Sequence, residues 1–100
     1  MIIHIVMFTL KDFAEEKDKS ENILLMKEQL ESLIDSIDLI RKIEVGLNFN
    51  SSAAAYDIVL YSEFDSSDDL NAYQIHPEHR KVSDFIGKIS DKRVVVDYER

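Results

Sequence analysis

The chain has 100 residues, 45% of them hydrophobic, with two glycines, one proline and no cysteine, a composition that suits a single domain spanning 1–100. Twenty acidic against twelve basic residues give a net charge of −8, a field that repels phosphate backbones and anionic lipid, so neither nucleic acid nor membrane is an expected partner. Without cysteine there is no disulfide, thiol catalysis or thiolate metal site; no apolar run approaches the ~20 residues of a membrane span, and a soluble, cytoplasmic protein is expected.

Residues 2–9 are almost continuously apolar and rich in β-branched side chains, which predicts a strand buried on both faces. Residues 13–37 read as a helix. Ile23, Met26, Leu30, Leu33, Ile34 and Ile37 recur at three- and four-residue steps, with Lys27, Glu28 and Glu31 on the other side. Asp18 or Ser20 would cap this helix if its first turns fray. Ile43, Val45, Leu47 and Phe49 alternate with Lys42, Glu44, Gly46 and Asn48, the period of a half-exposed strand. After a turn at Asn50-Ser51-Ser52, residues 56–64 form a second apolar strand, paired with the one before it as an antiparallel hairpin.

Ser66 and Asp69 have the spacing of a capping box and open a short helix through Leu70 and Tyr73. Pro77 occupies the first position of another helix, which carries Val82, Phe85, Ile86 and Ile89 on one stripe. Residues 91–99 are the last strand. The order is βαββαβ with the second helix in two pieces. Right-handed crossovers turn that order into a ferredoxin-like α+β fold: a four-stranded antiparallel sheet, helices on one face, first and third strands central.

Both parities of the strands are apolar: Ile2, Val6 and Phe8 against Ile3, Ile5 and Met7; Ile58 and Leu60 against Val59 and Tyr61; Val94 and Val96 against Val95. Helices cover one side only. A monomer would leave the other as an apolar patch larger than soluble monomers usually show, and the two residues after Tyr98 are too few to cover it. A homodimer through the open sheet face is the expected assembly.

Few residues can carry chemistry. His4 is the polar member of its strand face, between Ile2 and Val6, and reads either as a satisfied core histidine or as a pocket group. His79 shares the inward helix face with Val82 and Ile86 and sits in the first turn, where the helix dipole favours a neutral imidazole. His76, before Pro77, caps that helix or faces solvent. Tyr73 either directs its hydroxyl to the same region or is an amphipathic core aromatic. His76 and His79 lack a third ligand at metal-site spacing, so no metal and no cofactor are expected. There is no glycine-rich phosphate loop and no nucleophile-elbow serine.

Three segments together resemble one family. Met1-Ile2-Ile3-His4-Ile5-Val6-Met7-Phe8 is similar to the opening strand of the stress-responsive A/B barrel (Dabb) family. Tyr56-Asp57-Ile58-Val59-Leu60 with Glu63-Phe64-Asp65-Ser66 resembles its third strand and turn. Leu70-Asn71-Ala72-Tyr73-Gln74-Ile75-His76-Pro77-Glu78-His79 is similar to its Tyr, His-Pro, His signature, and Val95-Val96-Asp97-Tyr98 fits its close. The resemblance covers the whole chain and implies a dimeric α+β barrel, two ferredoxin-like sheets facing each other.

Polyketide cyclases of this family hold a small molecule between helices and sheet and use a histidine–tyrosine acid–base pair. By matching position the pair corresponds to His79 and Tyr73. The resemblance also implies a pocket lined by His4, Phe8 and Ile58. Ile58 stands where those cyclases have a further histidine, and their first-helix tyrosine has no counterpart, since no Tyr lies between residues 10 and 40. The aromatic polyketide reaction is therefore not implied. Two functions remain: proton transfer on an apolar carbonyl compound, with His79 as base and Tyr73 bonding the substrate oxygen, or a non-catalytic ligand-binding or stress-associated dimer. Dimeric α+β barrels also include haem-degrading oxygenases, in which His79 would be the axial ligand, a reading that nothing in these residues selects.

Overall fold

The computed structural model describes the whole chain, Met1–Arg100. Its elements are β1 (Ile2–Leu10), β2 (Phe13–Ala14), β3 (Lys17–Asp18), α1 (Lys19–Ser36), β4 (Lys42–Leu47), β5 (Ile58–Phe64), α2 (Ser67–Ile75), α3 (Pro77–Ile89) and β6 (Ser90–Glu99). The four long strands form one sheet in the order β4-β5-β1-β6, every neighbouring pair antiparallel. β1 and β5 are central, the ferredoxin-like arrangement.

Strand alternation decides which side chains meet the helices. His4, Val6, Phe8 and Leu10 of β1 and Ile58, Leu60, Ser62 and Phe64 of β5 are all buried. The apolar ones join Met26, Leu30 and Leu33 of α1 and Val82, Ile86 and Ile89 of α3 in one core.

The first helix begins later than its apolar spacing predicts. Residues 13–18 form a small ribbon instead, Phe13 opposite Asp18 and Ala14 opposite Lys17. Glu15 and Glu16 turn it with left-handed backbone, φ 52° and 63°. Asp18 then caps α1 by accepting a hydrogen bond from the Glu21 amide at 2.9 Å. Asn22 is fully buried, and its Nδ2 donates to the carbonyls of Ala14 (3.0 Å) and Lys17 (3.4 Å). These bonds satisfy ribbon carbonyls that a longer helix would have taken internally. The buried stripe is therefore Asn22, Met26, Leu30 and Leu33, and Ile34 is left 41% exposed.

Two expected surface charges of α1 have structural partners. Lys27 Nζ donates to the Val45 carbonyl at 2.6 Å, and the Val45 amide donates to Glu31 Oε2 at 3.1 Å. Together they close one residue's worth of the exposed β4 edge, which otherwise offers free backbone groups to another chain. The Lys27 bond holds the Glu31 carboxyl below its ordinary pKa against a smaller opposing effect of burial. β4 ends at Leu47, so Phe49 lies outside the strand and is wholly exposed.

The face away from the helices carries Ile3, Ile5 and Met7 with their cross-strand neighbours Val59, Tyr61, Glu63, Val94, Val96 and Tyr98. It is not uniformly open. Ile3 is fully buried beside Glu63 and Tyr98. At that end Arg100 Nη2 donates to the Tyr61 oxygen (3.0 Å) and Tyr61 O–H donates to Glu63 Oε2 (2.6 Å). The exposed apolar part runs along β6 to the other end, with Met7, Val94 and Val96 39%, 40% and 57% exposed, and Tyr98 43%. No helix is long and apolar enough to cross a membrane.

Candidate functional site

Two helix ends meet where α2 passes to α3, and a helix end leaves backbone groups unbonded. Ser66 caps α2 by accepting from the Asp69 amide at 3.1 Å. His76 caps α3: its Nδ1 accepts from the Glu78 amide at 3.1 Å, with Pro77 in the first turn. His79 serves the opposite end, since its Nδ1–H donates to the Gln74 carbonyl of α2 at 3.0 Å. A carbonyl only accepts, so this bond places the proton on Nδ1 and leaves the lone pair on Nε2 whenever the ring is neutral.

A cavity of about 260 Å³ lies between α3 and the helix-facing side of the sheet, at the β6 edge. Val6, Phe8, Leu30, Leu60, Val82 and Ile86 make its walls apolar. His4, Gln74, His79 and Arg93 supply polar groups. That composition, apolar walls with a few convergent polar groups, is the usual form of a small-molecule site, though the volume lies just under the common range of roughly 300–1,000 Å³.

His4 is buried and paired. Its Nδ1 lies 2.5 Å from Asp97 Oδ1, directly across the β1–β6 ladder. Donation to a carboxylate leaves Nε2 of His4 without a protein partner. His79 is half-buried, and this desolvation pushes its pKa below the ordinary value. The Gln74 carbonyl opposes that shift, while the charges of His4, Arg93 and His76 add to it. The direction is the one expected at a helix N-terminus, but loss of water is the main cause.

Tyr73 does not line the cavity. It is fully buried, its ring 4.5 Å from that of His79 and 4.9 Å from Phe64, with His4 edge-on at 6.4 Å. Its hydroxyl has no hydrogen-bond partner, and burial pushes the phenol well above its ordinary pKa. Ile58 is also absent from the cavity wall. It sits on β5, on the β4 side of β1, whereas the cavity opens toward β6, and it borders a separate groove with Met7, Leu47 and Tyr56. His4, Phe8 and His79 are thus brought together, Tyr73 lies behind them, and Ile58 lies elsewhere.

Asp97 and Arg93 escaped the reading of the sequence. Both stand at the helix-facing parity of β6, opposite His4 and Phe8 respectively. That parity was available from the alternation of Val94, Val95 and Val96, had it been extended outward in both directions. No group of three or more His, Asp or Glu side chains is placed to hold a metal ion.

Fold and cavity together define an α+β protein of ferredoxin-like type with a partly open cavity between helices and sheet. The chain belongs to the Dabb family: the model of the Stress responsive A/B Barrel Domain matches residues 2–100. It is 34% identical over 99 residues, 98% of its length, to a stress-response A/B barrel domain-containing protein of Arabidopsis thaliana, and spans 36% of that relative's length. A dimeric protein of unknown function and ferredoxin-like fold from Bacteroides fragilis is 40% identical, with TM-score 0.82 over 99% of this chain and 95% of that one. A dimeric ferredoxin-like protein of unknown function from Thermobifida fusca is 26% identical, with TM-score 0.82 over 97% and 88% of the two chains.

Proposed function

We propose that this protein is a homodimer that binds a small, largely apolar carbonyl compound in the cavity and moves a proton at it with His79 as base. The observation that carries this reading is the bond from His79 Nδ1–H to the Gln74 carbonyl. It leaves Nε2 as the basic atom of a desolvated imidazole that borders an apolar cavity. A neutral ring with a fixed tautomer is what proton abstraction needs. His4, whose Nδ1–H is turned to Asp97, leaves an Nε2 lone pair that can accept from a substrate O–H.

The dimer is supported by the exposed apolar end of the sheet and by the dimeric state of the Bacteroides fragilis and Thermobifida fusca relatives. Two sheets face to face would bury what remains exposed of Met7, Val94 and Val96, roughly half of the ~1.5–3 kcal/mol that burying a whole side chain is worth.

One observation favours a second reading, ligand binding without catalysis. Tyr73, the partner in the expected acid–base pair, has no access to the cavity. In the first reading it therefore positions the His79 ring and does not touch substrate.

The test is proton exchange. Small ketones and β-dicarbonyl compounds are incubated with the protein in D2O, and deuterium incorporation next to the carbonyl is followed by NMR. Exchange above background that disappears in His79→Ala is the expected result. Binding by thermal shift with no exchange would select the second reading.

A further inference from the structure

Arg93 is the only side chain of permanent charge that lines the cavity. In a chain with twenty acidic residues, it takes part in none of the ion pairs. Arg41 is held by Asp65 at 2.8 Å and Arg100 by the Tyr61 oxygen at 3.0 Å, whereas Arg80 and Arg93 have no side-chain partner, and of these two only Arg93 borders the cavity. On the same face of β6 the next acidic group toward His4 is Asp97, four residues on and so roughly 13 Å along the strand. It is already engaged by His4. Arg93, solvent-accessible and unpaired, borders a cavity whose walls include Val6, Phe8, Leu60 and Ile86.

We propose that the ligand of this cavity is an amphipathic organic anion: a carboxylate bound by Arg93, with an apolar or aromatic body along Phe8 and Ile86. The guanidinium fork matches a carboxylate with two parallel hydrogen bonds, and charge-assisted bonds of this kind are about twice as strong as neutral ones. The net charge of −8 opposes this little at short range, because salt screens charges beyond roughly 8 Å while a pair in contact at the cavity is screened much less. The charge of Arg93 also acts on His79. A bound carboxylate offsets that charge, so the anion that Arg93 selects leaves His79 a stronger base. The groups facing His79 are His4 (with its partner Asp97), Arg93, His76 and Tyr73, and among them only Arg93 is free to take an anion.

This inference rests on the small-molecule cavity proposed above, and a matched pair of probes separates the two. Phenylacetate and its neutral near-isostere phenylacetamide are titrated into the parent protein and into Arg93→Gln, with binding followed by NMR shifts of residues around the cavity. Arg93 is exposed, so the variant keeps the parent's melting temperature. Phenylacetate binds the parent at least about 10-fold more tightly than the amide, a charge-assisted hydrogen bond's worth. In Arg93→Gln the preference vanishes and the amide binds as before. Equal affinity of the two probes for the parent, or a preference that survives in the variant, overturns the inference and leaves the cavity reading standing. Failure of both probes to bind overturns both.

Discussion

The His79 ring lies 4.5 Å from that of Tyr73 at a tilt of 55°, so a cavity-lining imidazole rests on a wholly buried phenol. The two sit on successive helices, and the hydrogen bond from His79 to Gln74 spans the same joint. The orientation of the candidate base is thus set by packing beneath it and by a backbone carbonyl beside it. Both constraints come from the Tyr73-to-His79 segment.

The Tyr73 hydroxyl is buried without a partner, which ordinarily costs about 1–3 kcal/mol. Tyr73→Phe keeps the ring under His79 and removes that oxygen. The variant should be at least as stable as the parent in urea, by about 1 kcal/mol, and its His79-dependent proton exchange should persist. A loss of stability would reveal a partner for the hydroxyl. Loss of exchange in a folded variant would return Tyr73 to the reacting pair.

His79 makes stability depend on pH. Burial lowers its native pKa below the unfolded value of 6.5, so as pH falls the unfolded chain takes up the proton first. The stability associated with the neutral ring is fully present above about pH 6.5 and is lost as pH drops through that value toward the native one. Thermal melts of the parent and His79→Gln from about pH 8 to about pH 5 check this. The parent should lose more melting temperature than the variant across that range. Parallel profiles would mean that the imidazole is solvated like a surface histidine.

The residues that announced themselves in the sequence were those whose neighbours repeat a simple period. β1, β5 and β6 follow from apolar runs, and their central and edge positions follow from crossover handedness. Residues 13–18 did not announce themselves, because the ribbon turns on two glutamates in left-handed backbone, where glycine or asparagine is the usual signal. Asn22 was hidden for a related reason: a polar residue on a helix reads as solvent-facing until its bonds to Ala14 and Lys17 are seen. In the candidate site the histidines stood out, since few residue types carry a proton near neutral pH. Their partners did not, because Arg93 and Asp97 acquire meaning only through register with Phe8 and His4 across a ladder.

Asn22 should prove to be a fastener. Its side chain is fully buried, and its Nδ2 bonds two carbonyls of the ribbon. Asn22→Leu keeps the branched shape, removes both bonds and also removes the buried, partnerless Oδ1, so the cost of about 1–3 kcal/mol for unbonded carbonyls is offset in part and a net loss of about 1 kcal/mol is expected. Amides around residues 13–18 should then exchange with solvent much faster than in the parent, while β1 and β5 keep their protection. Unchanged exchange in the ribbon would show that the Phe13–Asp18 and Ala14–Lys17 pairs hold it unaided.

Met7 offers the most direct probe of assembly. It is central on β1, points away from the helices and is flanked across the ladders by Val59 and Val94. Because 39% of it is exposed in the single chain, Met7→Asp can keep its carboxylate hydrated in a monomer. Between two sheets the same carboxylate would be stripped of water beside the partner's apolar surface, a penalty of several kcal/mol per ion. Sedimentation at micromolar concentration should therefore find the parent as a dimer and Met7→Asp as a monomer, with the same circular dichroism. A parent that sediments as a single chain would leave the apolar end of the sheet wet and remove the homodimer. A variant that still pairs would move the interface away from this face, and the charge closure of the β4 edge by Lys27 and Glu31 would make the β6 edge the next surface to examine.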